Sequence, residues 1–301
     1  MRSLQGVIVP TLTFFSADGS LDLHACAEHF RMLEAAGVDG FLILGSTGEF
    51  FHMTAEERMS YTEWAVAQVG GRLPVLVGTG DLSTAGAISL TRHARDVGAD
   101  GAVIISPFYW PPSQNQLYHY FADIAEAVDI PIILYNFPAM TGTSLTPELV
   151  LSLARDHPNI VGIKQTVATP DPLRDVAQLV LPHRPDFRIF IGGDDLALYN
   201  LIMGGAGSIA TSWNFAPEAA VALDRAFRAG DFEAASREQR RLSIISAVYT
   251  LDPCLASVAK EALFILGKGP EPVLRGPAQR LDEPARAKLR QILADAGLLN
   301  T

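Results

Sequence analysis

The chain has 301 residues, 49% hydrophobic and 19% charged, with a formal net charge of −10. That balance excludes a disordered chain and suits one large barrel domain or two ordinary ones, with a core that needs no disulfide or metal. An acidic chain without a Lys/Arg cluster is a poor partner for phosphate backbones, which argues against nucleic acid. The two cysteines, Cys26 and Cys254, need not pair in a chain of this size, so a reducing, cytoplasmic setting is expected. The opening segment "MRSLQGVIVPTLTFF" makes a poor signal peptide, because its apolar run is short and broken by Pro10. No apolar run reaches the length of a membrane span.

Along the chain, short apolar runs alternate with longer segments of helical period. The runs are "GVIVPTLTFF", "GFLILG", "PVLVGTG", "GAVIISP", "PIILYNFP", "IVGIKQT", "FRIFIGG" and "GSIATS". Each is rich in Val, Ile, Leu or Phe, as a strand covered on both faces should be. Between them, "TAEERMSYTEWAVAQVG" predicts a helix with Thr54 and Glu57 as a capping box and Gly70 as its stop. "SLTPELVLSLARD" places Pro147 in the first turn after a Thr146 cap. An internal echo joins "AAGVDGFLILGS" to "DVGADGAVIISP". In both, a glycine ends a helix, an Asp-Gly turn follows and a strand begins, which marks a repeated strand–helix unit.

Eight such units predict a (β/α)8 TIM barrel over 1–230, followed by a helical C-terminal extension over 231–301. A doubly wound open sheet is the alternative. Its glycine fingerprint is missing after the first run, and "GTGDLSTAG" has Ser83 at the third glycine position. "GKGPEPVLRGPAQRLDEP" is a Pro/Gly-rich connector without a core of its own.

Chemistry in such a barrel sits at the C-terminal ends of the strands. Lys164 stands near the end of an apolar run, on the same face as Ile160 and Gly162. A lysine there is either a desolvated nucleophile, able to form a Schiff base, or a salt-bridged lysine with a partner such as Asp194. Tyr135 holds the same relative place on the preceding strand. It is a proton carrier or a core tyrosine. "GSTGEF" offers Ser46 and Thr47 with close-spaced glycines, either a backbone nest for a carboxylate or an ordinary turn with Glu49 packed on a neighbouring loop. The histidines show no metal-ligand spacing, and His24 and His29 are expected on a helix surface. Asp194 and Asp195 alone fall short of a cation site.

In order and on the expected strands, "GSTGE", "YNFP", "GIKQT" and "GGDD" resemble the lysine-dependent, pyruvate-handling aldolases of the dihydrodipicolinate synthase and N-acetylneuraminate lyase family. The resemblance covers nearly the whole chain. It implies that Lys164 is the Schiff-base lysine, that Tyr135 shuttles protons and that Ser46 links the relay. Ser46 and Thr47 would hold the pyruvyl carboxylate, and Tyr109 would reach into the active site of an adjacent subunit. Gly48, Thr166, Gly192, Asp194, Asp195, Ile209 and Thr211 are the further substrate contacts it implies. It also implies a homo-oligomer, a dimer of dimers, and no metal or organic cofactor beyond the covalent imine with pyruvate.

Two positions depart from dihydrodipicolinate synthase. That enzyme has Thr in place of Ser46, and an arginine for a second carboxylate in place of Met140. "YNFPAMTG", "PFYW", "NFAPE" and "LDPCLASVAKEA" are most similar to the 2-keto-3-deoxygluconate aldolases. The expected reaction is reversible cleavage of a 2-keto-3-deoxy sugar acid to pyruvate and a hydroxyaldehyde. The alternatives are dihydrodipicolinate synthase, a 2-keto-3-deoxy acid dehydratase and a non-catalytic keto-acid-binding barrel.

Overall fold

The eight apolar runs close into one parallel barrel, each strand paired with the next and the last returning to the first. The computed structural model describes residues 4–299. Met1–Ser3 of the opening segment and residues 300–301 of the expected extension lie outside the described residues. The strands are β1 (Gly6–Pro10), β2 (Gly40–Ile43), β3 (Val75–Gly78), β4 (Gly101–Ile105), β5 (Ile132–Asn136), β6 (Ile160–Gln165), β7 (Arg188–Ile191) and β8 (Gly207–Ser208). Through the barrel run α1 (Leu23–Ala36), α2 (Ala55–Val69), α3 (Thr84–Asp96), α4 (Gln114–Ala127), the single turn α5 (Pro138–Thr141), α6 (Pro147–Asp156), α7 (Asp171–Val180), α8 (Ala197–Ile202) and α9 (Pro217–Arg228). Three more helices follow: α10 (Phe232–Ile245), α11 (Leu255–Ile265) and α12 (Glu283–Asp295). Among the described residues no single helix is long and apolar enough to cross a membrane.

Local signals set the ends of these elements. Thr54 and Glu57 cap α2 reciprocally, and Gly70 closes it in the left-handed region at φ 56°. Thr146 accepts from the Leu149 N–H at the start of α6, with Pro147 in the first turn. The opening run is shorter as a strand than its apolar composition implies. β1 stops at Pro10, and Phe15 instead bridges Leu21 across a turn in which Asp18 accepts from the Ser20 N–H and hydroxyl.

The internal echo has an atomic basis. The Asp39 carboxylate accepts from the Val7 N–H at 2.8 Å, while its own N–H donates to the Val7 carbonyl at 2.8 Å. Asp100 does the same with Val75, at 2.9 Å each way. In each copy the glycine that follows lies against the next strand's proline. A Cβ on Gly40 or Gly101 would stand 3.2 Å from the Pro74 carbonyl or 3.0 Å from that of Pro131.

Barrel closure needs help, because β8 is only two residues long. Asn214 supplies it. Its amide donates to the carbonyls of Pro10 and Thr211, and its oxygen accepts from the Leu12 N–H and from His29 Nε2. His29 is therefore not on a helix surface, as α1's pattern suggested. It is buried, edge-on to Phe14, and burial pushes its pKa down to about 4, so the ring is neutral. His24 is exposed.

The helices after α9 fold back on the barrel. α10 packs on α9 and the loop after β7, and α11 packs on the loop after β8. The connector between α11 and α12 has no core but is pinned by arginine. Arg275 makes paired contacts to Glu57 at 2.6 and 2.7 Å and lies over the Phe15 ring. Arg280 holds Glu261 at 2.8 Å.

Candidate active site

β5 and β6 pair in parallel, with a one-residue register shift after Ile132 that sets Tyr135 directly beside Lys164. Both side chains are buried, at 4% and 3% exposure, and Lys164 Nζ sits 4.1 Å from the centre of the Tyr135 ring. Lys164 forms no ion pair among the described residues. Asp194, the carboxylate a structural lysine would use, accepts instead from Ser212 at 2.7 Å and Tyr249 at 3.2 Å. The lysine thus lacks the partner that usually accounts for burying a charge.

Gly192, at the end of β7, makes room for it. A Cβ there would lie 1.9 Å from Thr166 Oγ1 and 3.1 Å from Lys164 Cε. Gly192→Ala is expected to push the lysine tip aside. Activity should fall about tenfold or more, since misplacement on the order of 1 Å costs about 100-fold. An unchanged rate in steady-state assays would show that the lysine tolerates the shift.

The loop after β2 is conformationally costly. Leu44 has φ 54° and Glu49 has φ 58°, both in the left-handed region that side chains disfavour. Gly78 permits the first, because a Cβ there would lie 2.0 Å from the Leu44 carbonyl oxygen. Between them the loop presents Ser46 and Thr47. Ser46 is half-buried and, with Tyr135, lines a small pit at the barrel mouth. Thr47 is buried and shares a 2.7 Å hydrogen bond with Thr211. Gly48 is held through its carbonyl by the Thr13 hydroxyl at 2.8 Å.

Glu49 does more than pack on a loop. It is buried in a 2.5 Å ion pair with Lys260 of α11, and His52 Nδ1 lies 3.1 Å from its other oxygen. Lys260 was not singled out in the sequence, though a signal exists. It lies on the same helical face as Ala256 and Leu263, amid a run that is apolar on every side. Burial lowers its pKa, against the pull of Glu49.

Above the pit a vestibule of about 590 Å³ is walled by Phe50, Phe51, Phe108 and Met140 from the barrel loops and by Pro253, Leu255 and Pro277 from the extension. Its polar side chains are Ser46, His52, Asp252, Cys254 and Gln279, and no lysine or arginine among the described residues lines it. Tyr109 points away, 88% exposed. Asp194, Asp195 and Thr211 are not among the vestibule's residues, and Asp195 accepts from Ser246 at 2.9 Å. Ile209 is fully buried, its N–H donating to the Ile191 carbonyl. Thr166 Oγ1 and Asp194 Oδ2 are buried without a hydrogen-bond partner among the described residues. No group of three or more metal-ligating side chains occurs among the described residues.

Burial pushes the Asp194 carboxyl up to about 7, against the opposing hydroxyl donors Ser212 and Tyr249. Between 3.8 and about 7 the folded protein keeps a proton that the unfolded chain has released. Stability contributed by that proton is lost as pH rises through this window, by up to roughly 4 kcal/mol. Asp194→Asn is expected to flatten the fall of unfolding free energy between pH 4 and 8. Parallel profiles for parent and variant in denaturant titrations would refute this assignment.

The sequence profile described as the dihydrodipicolinate synthetase family matches residues 3–296. The chain belongs to the dihydrodipicolinate synthetase family. It is accordingly a carbon–carbon lyase of the class I, pyruvate-dependent aldolase type. The family member of Escherichia coli K12 named "Putative 2-dehydro-3-deoxy-D-gluconate aldolase YagE" is 42% identical over 288 residues, covering 96% of this chain and 95% of YagE. "Probable 2-dehydro-3-deoxy-D-pentonate aldolase YjhH", from the same organism, is 40% identical over 299 residues, covering 99% of each chain. The crystal structure of YagE in complex with pyruvate superposes with a TM-score of 0.96 at 41% identity, over 99% of this chain and 100% of that one.

Proposed function

We propose that this aldolase reversibly cleaves a 2-keto-3-deoxy aldonate, such as 2-keto-3-deoxygluconate, to pyruvate and a short hydroxyaldehyde. The observation that carries the reading is Lys164, buried without a carboxylate partner among the described residues and in contact with the Tyr135 ring. Its amine adds to the C2 carbonyl, and loss of water gives a protonated imine. Tyr135, left as a phenolate after giving its proton to the departing water, takes the proton of the C4 hydroxyl by way of Ser46 as the C3–C4 bond breaks, and later returns it to C3. The bonding electrons flow into the imine to give an enamine. Protonation at C3 and hydrolysis then release pyruvate and free the lysine. The imine supplies the electron sink, so the reaction calls for no metal or organic cofactor.

On this reading Ser46, Thr47 and the backbone of Gly48 hold the pyruvyl carboxylate. The cation-free vestibule, with Met140 on its wall, favours a tail without a second carboxylate. His52, Asp252 and Gln279 offer hydrogen-bond partners to hydroxyls there. Tyr109 is free to reach a neighbouring subunit in a homotetramer. Both cysteines are free, which suits the cytoplasm. The names of YagE and YjhH support the same substrate class.

The test compares kcat/KM for cleavage of 2-keto-3-deoxygluconate with that for condensing pyruvate and aspartate semialdehyde. Cleavage should dominate. Faster condensation would make the protein a dihydrodipicolinate synthase, and release of a dehydrated keto acid in place of an aldehyde would make it a dehydratase. No turnover of either substrate, with pyruvate still bound, would leave only a binding barrel.

A further inference from the structure

We infer that Lys260, on the C-terminal extension, is a positioning residue whose buried contact with Glu49 holds Ser46 and Thr47 in place. The inference deepens the proposed function, since it is that reading which gives Ser46 and Thr47 a substrate. Glu49 occupies the left-handed region at φ 58° and ψ 34°. For a residue with a Cβ this costs about 1–2 kcal/mol, and a glutamate lacks the short side chain that eases it for Asn or Asp. Something outside the loop must therefore hold it.

Besides its backbone bonds within the turn, Glu49 is held through its side chain. Oε1 meets Lys260 Nζ at 2.5 Å and Oε2 lies 3.1 Å from His52 Nδ1. Lys260 is fixed in turn by the Val273 carbonyl at 3.1 Å and by the face of Phe15, 4.7 Å from its Nζ. On the backbone, the Glu49 N–H donates to the Ser46 carbonyl at 3.2 Å, and the Gly48 N–H to that of Gly45 at 3.0 Å. Where residue 49 goes, the Ser46 carbonyl follows. The loop is thus gripped on two sides: Thr47 by Thr211 within the barrel, and Glu49 by Lys260 from the extension.

A fully buried ion pair adds little net stability over an apolar pair of the same shape. Its use beside the Ser46–Thr47 loop is better explained by geometry. The charge pair tolerates one arrangement of residue 49, whereas an apolar pair would tolerate several.

The test is the double variant Glu49→Gln/Lys260→Met, which removes both charges and strands neither. Two quantities are read: the crystal structure of the loop, and the pyruvate dependence of borohydride trapping at Lys164. Residue 49 should leave the left-handed region and Ser46 should move. The pyruvate concentration for half-maximal trapping should rise about tenfold, the size of one hydrogen bond lost. The trapping rate at saturation should change much less, a split that general loosening would not produce. Lys260→Arg, which keeps both charges but changes the reach to Glu49, should give the same split if the double variant does not fold. A folded variant with the parental loop and parental pyruvate dependence overturns the inference. If the parent itself traps no pyruvate while the loop still moves in the variant, the proposed function fails and the positioning role stands.

Discussion

Lys164→Met is expected to abolish aldol cleavage, by about 10⁴-fold or more, the scale on which losing a covalent nucleophile is felt. The same substitution should leave the unfolding midpoint unchanged or raised. Lys164 is buried with no ionic partner among the described residues, so an apolar side chain of similar length strands no charge. Three measurements check this together: pyruvate release, the mass of the borohydride adduct and thermal unfolding. An adduct that persists in Lys164→Met would place the imine on another lysine. A large loss of stability would mean that Lys164 is a structural residue with a partner.

Lys260→Met is expected to do the opposite, costing stability before chemistry. Lys260 is as buried as Lys164 but is paired with Glu49. Removing one member leaves an uncompensated carboxylate in the interior, which costs about 3–5 kcal/mol. In a chain of this size that lowers the thermal midpoint by roughly 10 °C. His52 and Arg275 stand near enough to temper the loss. A shift below about 1 kcal/mol in denaturant titration would show that these two carry the Glu49 charge unaided. One pair of experiments therefore separates the two buried lysines: loss of reaction with stability kept is expected for Lys164, and loss of stability first for Lys260.

What could be read in advance follows from how local each feature is. The capping box at Thr54 and the stop at Gly70 depend on residues a turn apart, and the sequence shows them directly. Tyr135 beside Lys164 was legible because both residues sit near the C-terminal ends of adjacent strands, whereas the one-residue register shift after Ile132 that sets them directly side by side was not. Lys260 was not, since its partner lies 211 residues away and helical period alone cannot say what faces α11. His29 misled because a polar residue in an amphipathic helix is ordinarily outside, and only Asn214, 185 residues on, gives it an interior partner. The aspartates after β7 resembled hydroxyl acceptors. Ser212 reaches Asp194 from the neighbouring barrel loop, and Tyr249 and Ser246 reach the pair from the extension, contacts that no local pattern encodes.

The reciprocal bonds of Asp39 with Val7, and of Asp100 with Val75, bear on how this barrel could be taken apart. Each lashes an odd-numbered strand to the even-numbered one that follows it, and neither crosses the turn at Gly70 and Gly71. A chain severed at that turn would keep both lashings whole, whereas a cut after α1 would divide the first of them. The smallest self-fastened piece in this half of the molecule is a strand pair with its intervening helix, and that pair is the natural unit for shuffling or circular permutation.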